Sequence, residues 1–221
     1  MGMETVVNAI YAGSVRPMPN DGRTTGIFKT AVDGEVDIGF DGITIDAQAD
    51  RRVHGGPEKA VHQFPAAHYA RLAANFDEIA DALVPGSIGE NLSSADWTED
   101  DVCIGDVFAF GSARLQLNQP RSPCWKIDAR YGVDGLTRYV AQHGIAGWYY
   151  RVLAPGRARA GDRLVLVERN ADPVTLRDYW NLRETPRPPL SDLQRLIDTP
   201  GLAPDKRESW RQRLDWLRDN A

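Results

Sequence analysis

The stretch Arg114-Leu115-Gln116-Leu117-Asn118-Gln119-Pro120-Arg121-Ser122-Pro123-Cys124-Trp125-Lys126 joins a fold signal to a chemical one. Its first half alternates polar and apolar residues, with Leu115 and Leu117 on one face. That is the pattern of a half-buried strand. Its second half holds two prolines within four residues. Proline fixes φ and lacks a backbone N–H, so the chain is expected to leave helix and sheet pairing there and form a rigid loop at the strand end.

Working outward, short apolar runs punctuated by turn residues recur through the first 170 positions. Met3–Tyr11 and Gly26–Val32 read as strands. Glu35-Val36-Asp37-Ile38-Gly39-Phe40 alternates at period two, and the Asp33-Gly34 pair before it is a hairpin signal. Val102–Phe110, with Gly105-Asp106 as a bulge, Gly147–Leu153 and Arg163–Glu168 complete the set. The spacing of Tyr69, Leu72, Phe76, Ile79 and Leu83 predicts a helix over Pro65–Leu83, and a second helix is expected over Leu136–His143. Many short strands with few helices give a mainly β fold, an antiparallel barrel or sandwich.

The last fifty or so residues change character. Pro173–Leu182, Pro189–Ile197 and Pro204–Leu217 each begin with proline and run without glycine, which predicts three short helices. The expected organisation is a β domain over residues 1–170 and a C-terminal three-helix extension over 171–221. The extension reads either as a bundle packed on the β domain or as a docking module.

Composition narrows the class. Of 221 residues, 42% are hydrophobic and 26% charged, which excludes a wholly disordered chain. The formal net charge of −5 argues against nucleic acid as a partner. No run approaches the ~20 apolar residues of a membrane span, and Met1-Gly2-Met3-Glu4 has no secretory character, so a cytoplasmic protein with no membrane partner is expected. Two cysteines are too few for a disulfide framework, and both read as free thiols.

Of these thiols, Cys103 lies inside the apolar run Val102-Cys103-Ile104 and reads as a small buried hydrophobe. Cys124 is flanked by Arg121 and Lys126, cations that favour thiolate, the form that acts as nucleophile and soft metal ligand. A second constellation, Asp50-Arg51-Arg52-Val53-His54-Gly55-Gly56-Pro57-Glu58-Lys59-Ala60, sets cations and a histidine around a Gly-Gly turn, where backbone can approach an anion. Asp21-Gly22-Arg23-Thr24-Thr25-Gly26 and Pro85-Gly86-Ser87-Ile88-Gly89-Glu90-Asn91-Leu92 add hydrogen-bonding loops. His62 and His68 flank the expected helix start and read as surface residues. No P-loop, dinucleotide fingerprint, HExxH or CxxC occurs.

Gly55-Gly56-Pro57 with Lys59-Ala60, Gly89-Glu90-Asn91-Leu92, Gly105-Asp106, Gln119-Pro120-Arg121-Ser122-Pro123-Cys124, Gly147-Trp148-Tyr149 and Gly161-Asp162 follow one another in an order that resembles the MOSC domain family. More narrowly, the chain resembles the YiiM-like members, linked to resistance against 6-N-hydroxylaminopurine. The resemblance covers nearly the whole chain, including the three-helix extension. It implies a MOSC-type β-barrel that binds molybdenum cofactor in its molybdopterin form. It implies Cys124 as the molybdenum ligand and catalytic residue, with Arg23, Thr24, Arg52, His54, Asn91, Arg121 and Ser122 as cofactor-binding residues. Arg23 stands where the family pattern leads one to expect lysine; the charge is kept, but the geometry is not. The implied activity is reduction of small N-hydroxylated compounds (purines, amidoximes) with electrons from a separate reductase. The alternative is a sulfur (persulfide) or molybdenum-cofactor carrier that uses the same cysteine.

Overall fold

The structure is a computed structural model; it describes residues 2–19 and 22–220, the side chains of Arg52 and Val53 excepted. Its strands are β1 (Glu4–Val6), β2 (Ala9–Ala12), β3 (Arg16–Pro17), β4 (Thr24–Thr25), β5 (Thr30–Ala31), β6 (Glu35–Gly39), β7 (Gly42–Ile43), β8 (Val61–Pro65), β9 (Leu92–Ser94), β10 (Val107–Phe110), β11 (Ala113–Pro120), β12 (Trp148–Ala154), β13 (Gly156–Arg159) and β14 (Arg163–Glu168). The α-helices are α1 (Arg51–His54), α2 (Ala67–Ala73), α3 (Lys126–Tyr131), α4 (Leu136–Gln142), α5 (Leu176–Glu184), α6 (Leu190–Asp198) and α7 (Pro204–Asp219).

Nine of the strands among the described residues form one sheet, in the order β1-β14-β10-β11-β12-β8-β9-β2-β5. Its pairs are antiparallel except β8 with β9, which run parallel. The expected Met3–Tyr11 strand is broken where its partner changes. Val7 bonds to Asp162 and Gly161 beside β14, whereas the next amide, Asn8, donates to the Ser93 carbonyl of β9. One short segment thus serves both flanks of the sheet, which must curl to bring them together. No ladder among the described residues joins β1 to β5, so a mainly β, curled sheet is found here and closure into the expected barrel is not.

Several local expectations change for physical reasons. Pro65 ends β8 instead of opening a helix, and α2 stops at Ala73, followed by a 3-10 turn over Asp77–Ala82. All five β8 residues are buried, so the strand shows no period-two alternation. Gly26–Val32 is mostly loop, with a strand only at Thr30–Ala31. Asp33-Gly34 is not a hairpin turn between neighbours, because β6 pairs with β7 and β13. Val102–Asp106 lies outside β10, with a turn at Ile104-Gly105 and an isolated antiparallel bridge from Cys103 to Thr175, so β10 is shorter than expected. Pro120 remains in β11 opposite Trp148, and the chain leaves the sheet after Arg121, whose amide donates to Gly147. The short α3 begins two residues after Cys124 and shows no periodicity long enough to read.

Two apolar cores result. The larger lies along the sheet, with Phe108, Phe110, Leu115, Leu117 and Tyr150, and it continues into the C-terminal helices through Leu193, Ile197, Trp210 and Leu214. The smaller joins Phe64, Tyr69 and Leu72 to Ile127, Leu136, Val140 and Trp180 under α2, α3 and α4. The three C-terminal helices fall where the prolines place them, and α5 begins with a full capping box between Thr175 and Asp178.

Candidate functional site

A cavity of about 570 Å³, the open solvent at its mouth included, lies where β8, β12, the β11–α3 loop and the segments before β5 and β9 converge. Its walls carry five basic side chains (Lys29, His54, Lys59, Arg121, Lys126) together with Cys124. Gly147 makes one side possible. Its φ of 70° is left-handed, and a Cβ there would meet the Gln63 carbonyl oxygen at 2.1 Å, so only glycine lets β12 start this close to β8.

Cys124 is half-buried, in the turn between β11 and α3. Its carbonyl accepts from the Ile127 amide at 3.0 Å and lies 3.1 Å from the Thr137 hydroxyl. That hydroxyl is also 2.7 Å from Asp128 Oδ1, and the same carboxylate takes the Thr137 amide at 2.6 Å. The turn that carries the thiol is therefore fixed from the α4 side.

Arg121 is 7% exposed, and its Nη1 is buried without a hydrogen-bond partner among the described residues. A buried guanidinium N–H left unpaired costs free energy, so this atom marks a place for an acceptor. The His62 Nε2 is orphaned in the same way. The His62 ring sits 5.2 Å from that of Tyr149, its ladder partner. Burial first, then the charges of Arg121 and Lys29, hold the His62 pKa well below its usual value. His54 is held at about 4 by burial and by Lys126, Arg121 and Lys59, so it is neutral at neutral pH.

A buried ion pair braces the opposite wall. Lys29 Nζ lies 2.5 Å from Asp46 Oδ2, with side chains 7% and 1% exposed. Asp46 also accepts from the Gly13 amide and from Asn91 Nδ2, both at 2.9 Å. Asn91 is fully committed, because its Oδ1 accepts the His62 amide at 3.0 Å and its Nδ2 also reaches the Tyr11 carbonyl at 3.1 Å. It positions Asp46 and β8.

Of the residues singled out in the sequence, His54, Asn91, Arg121 and Cys124 line this cavity. Arg23 and Thr24 lie on an adjoining shelf with Trp125, and this shelf shares Ala49 and Lys126 with the cavity. Ser122 is exposed and lines neither. The Arg52 side chain and Asp21 lie outside the described residues. His62 and His68 are buried, not on the surface, at 4% and 7% exposure. His68 Nε2 pairs with Glu99 at 2.6 Å in the core. Sequence reasoning missed Lys29, Asp46, His62 and Tyr149 in the cavity wall. The one sequence signal available was Lys29 standing within the run Gly26–Val32.

The MOSC domain pattern matches residues 50–165. Protein YiiM of Escherichia coli (strain K12) is 36% identical over 91% of this chain and 87% of its own length. The crystal structure of YiiM from Geobacillus stearothermophilus superposes with a TM-score of 0.80 at 28% identity, covering 95% of this chain and 99% of that one. A protein named "Reductase" from Gibberella moniliformis (strain M3125 / FGSC 7600) is 34% identical over 74% of this chain, a match to 29% of that longer protein. The chain belongs to the MOSC domain family and is YiiM-like within it.

Proposed function

We propose that the cavity binds molybdenum cofactor in its molybdopterin form, that Cys124 supplies the protein's sulfur ligand to the metal, and that the protein reduces small N-hydroxylated compounds. The observation that carries this reading is the orphaned Arg121 Nη1 in a cavity shared with Cys124 and three lysines. The residues present fit the group. Arg121, Lys59 and Lys126 would hold the anionic pterin phosphate, and a half-buried thiol would meet a soft metal. Among the described residues no group of three or more His, Cys, Asp or Glu could hold a metal ion unaided, so a metal here would arrive with ligands of its own. Oxidoreductase activity is also in keeping with the relative named "Reductase".

When bound, the cofactor supplies two-electron redox chemistry. The substrate's N–O bond breaks, two protons are taken up, and its oxygen leaves as water. The two electrons come from a separate electron-donating reductase. The chain's own work is to bind and orient. The cations fix the anionic ligand, neutral His54 offers a hydrogen bond without adding charge, and the buried Lys29–Asp46 pair stiffens the wall. The same reading keeps residues 171–221 as a unit distinct from 1–170, and the protein cytoplasmic, without nucleic acid or membrane as partner. No helix is long and apolar enough to cross a membrane among the described residues.

The test is expression in a host competent for molybdenum cofactor, then metal and pterin analysis, and turnover of an N-hydroxylated purine with a reductase supplied. Stoichiometric molybdenum, lost activity in Cys124→Ser and reduced pterin in Arg121→Ala support the reading. A persulfide on Cys124 without metal would replace it with the carrier function. Full activity in Cys124→Ser would end it.

A further inference from the structure

The Arg121 amide, one residue past β11, donates to the Gly147 carbonyl at 2.9 Å, and the chain then turns off toward Cys124. Pro120 before it, opposite Trp148, has no N–H to offer. The aim of the Arg121 side chain therefore depends on where Gly147 sits. A glycine has no side chain to lock its own place and the widest backbone freedom, so Gly147 must be held through its peptide groups. Its amide donates to a carboxyl, Glu99 Oε1, at 2.9 Å. Glu99 lies in the loop between β9 and β10 and is 0% exposed. Its Oε2 is 2.6 Å from His68 Nε2 on α2, and its carbonyl accepts the Arg177 amide, at the start of α5, at 2.9 Å. A carboxyl taken wholly out of water is costly unless its oxygens are bonded, and here each oxygen has a partner.

We infer that Glu99 is a positioning residue for Arg121: acting through Gly147, it holds the guanidinium where its unpaired Nη1 meets an acceptor in the cavity. Glu99 is not itself in the cavity wall. The path is short, since the amide and the carbonyl of one residue connect the carboxyl to Arg121. It is also rigid at its far end, because α2 and α5 both fasten Glu99. Without the carboxyl, the Gly147 amide is a buried donor left unmet, and the peptide is free to turn toward another partner. The Gly147 carbonyl turns with it, and the Arg121 amide loses its acceptor. A guanidinium contact to an anion needs its N–H groups aimed, so a small shift at this point weakens it. The inference rests on the proposed function only for the ligand's being anionic.

The experiment has two readouts on full-length protein: calorimetric titration with inorganic phosphate, and amide hydrogen exchange by NMR. The variants are Glu99→Ala, Glu99→Gln, Glu99→Asp, Arg121→Ala and the double Glu99→Ala/Arg121→Ala. Glu99→Ala is expected to weaken phosphate by roughly tenfold to a hundredfold, the order of one lost hydrogen bond to a charged group. Glu99→Gln keeps an acceptor for the Gly147 amide and should restore most of that. The double variant should bind no more weakly than Arg121→Ala alone, because Glu99 acts through Arg121. Exchange in Glu99→Ala should rise at the Gly147 and Arg121 amides and stay as in wild type at Phe108 and Phe110 of β10. If Glu99→Ala does not fold, Glu99→Asp carries the same expectations, since its shorter side chain cannot span Gly147 and His68 together. A lower Tm with phosphate affinity and Arg121 exchange as in wild type overturns the inference, as do additive losses in the double variant. If Arg121→Ala weakens phosphate and no Glu99 variant does, the positioning role falls and the anion-binding reading stands. If wild type binds no phosphate while exchange opens at Gly147 and Arg121 in Glu99→Ala, the positioning role stands and the anion-binding reading falls.

Discussion

Arg151 Nη2 lies 2.6 Å from Glu58 Oε2 and also donates to the Gly201 carbonyl at 3.1 Å. One guanidinium on β12 therefore ties the turn that carries Lys59, a cavity wall, to the loop between α6 and α7. The tie is reinforced by Asn118, whose carbonyl accepts the Ala203 amide at 3.0 Å while its Nδ2 donates to Glu58. Arg151→Met should strip the Glu58 carboxylate of its charged donor, leaving it Asn118 alone, and take the guanidinium from the Gly201 carbonyl. Because the two side chains are 23% and 38% exposed, a discounted cost of about 1–2 kcal/mol is expected. Thermal unfolding should show a Tm lower by about 2–8 °C. Arg114→Met, from an exposed pair with Glu168, should leave Tm nearly unchanged. Equal Tm values for the two variants would dissolve the distinction.

The Lys29–Asp46 pair should be far more costly to break. Removing one partner of a buried pair strands the other charge, at about 3–5 kcal/mol. Asp46→Ala also strips an acceptor from Gly13 and Asn91. Chemical denaturation should place Asp46→Ala well below Lys29→Met/Asp46→Asn, which removes both charges. Burial already lowers the Lys29 pKa below its usual value, so the unfolded chain binds that proton more tightly. Stability should accordingly rise with pH as it moves from the lowered value toward the usual one of 10.5, and Lys29→Met should flatten that rise.

His54 supplies a second pH signature, in the acidic range. Folded, its pKa is about 4 against an ordinary 6.5, chiefly from burial and then from Lys126, Arg121 and Lys59. The unfolded state holds the extra proton between these values. Stability should be lost as pH falls through that window and be regained as pH rises, and His54→Gln should remove this part of the profile. An NMR titration of the His54 ring should place its midpoint near 4. Inorganic phosphate in the cavity should move that midpoint upward, since an anion favours imidazolium. A midpoint near 6.5 that phosphate does not shift would remove the positive field ascribed to the cavity.

How far the sequence carries can be seen at individual residues. Glu35–Gly39 and the first half of Ala113–Pro120 were legible because one face there is buried and the other is wetter, whereas residues 117–120 are buried throughout. The C-terminal helices were legible from proline placement and apolar faces. Val61–Pro65 was not, since a strand buried on both faces loses its alternation and its Pro65 imitates a helix start. Arg121, His54 and Asn91 stood out by their loops, though Asn91 is committed to Asp46 and His62 in a way no spacing reveals. Lys29 and Asp46 are seventeen residues apart and meet only through tertiary packing. The curl of the sheet depends on Val7 and Asn8 choosing different partners, which local pattern does not encode.

The two thiols should separate cleanly. Cys103 is 2% exposed, and burial, then the Asp106 carboxylate, push its pKa up to about 11. At neutral pH it is a buried, protonated thiol and therefore unreactive. Cys124 is half-buried in the wall of an open cavity among Arg121, Lys126 and Lys59. Iodoacetamide on the native protein should alkylate one thiol, at Cys124, and two after denaturation. The Cys124→Ser variant should show none when native. Inorganic phosphate, held by the same cations, should slow the native reaction, because it occupies the approach to the thiol. Cys103→Ser should keep the one-thiol pattern and lose about 1–2 kcal/mol of stability from a hydroxyl placed in the core. Peptide mapping by mass spectrometry identifies the modified residue. Alkylation of Cys103 in the folded protein, or of neither thiol, would mean that the cavity does not present Cys124 to a ligand.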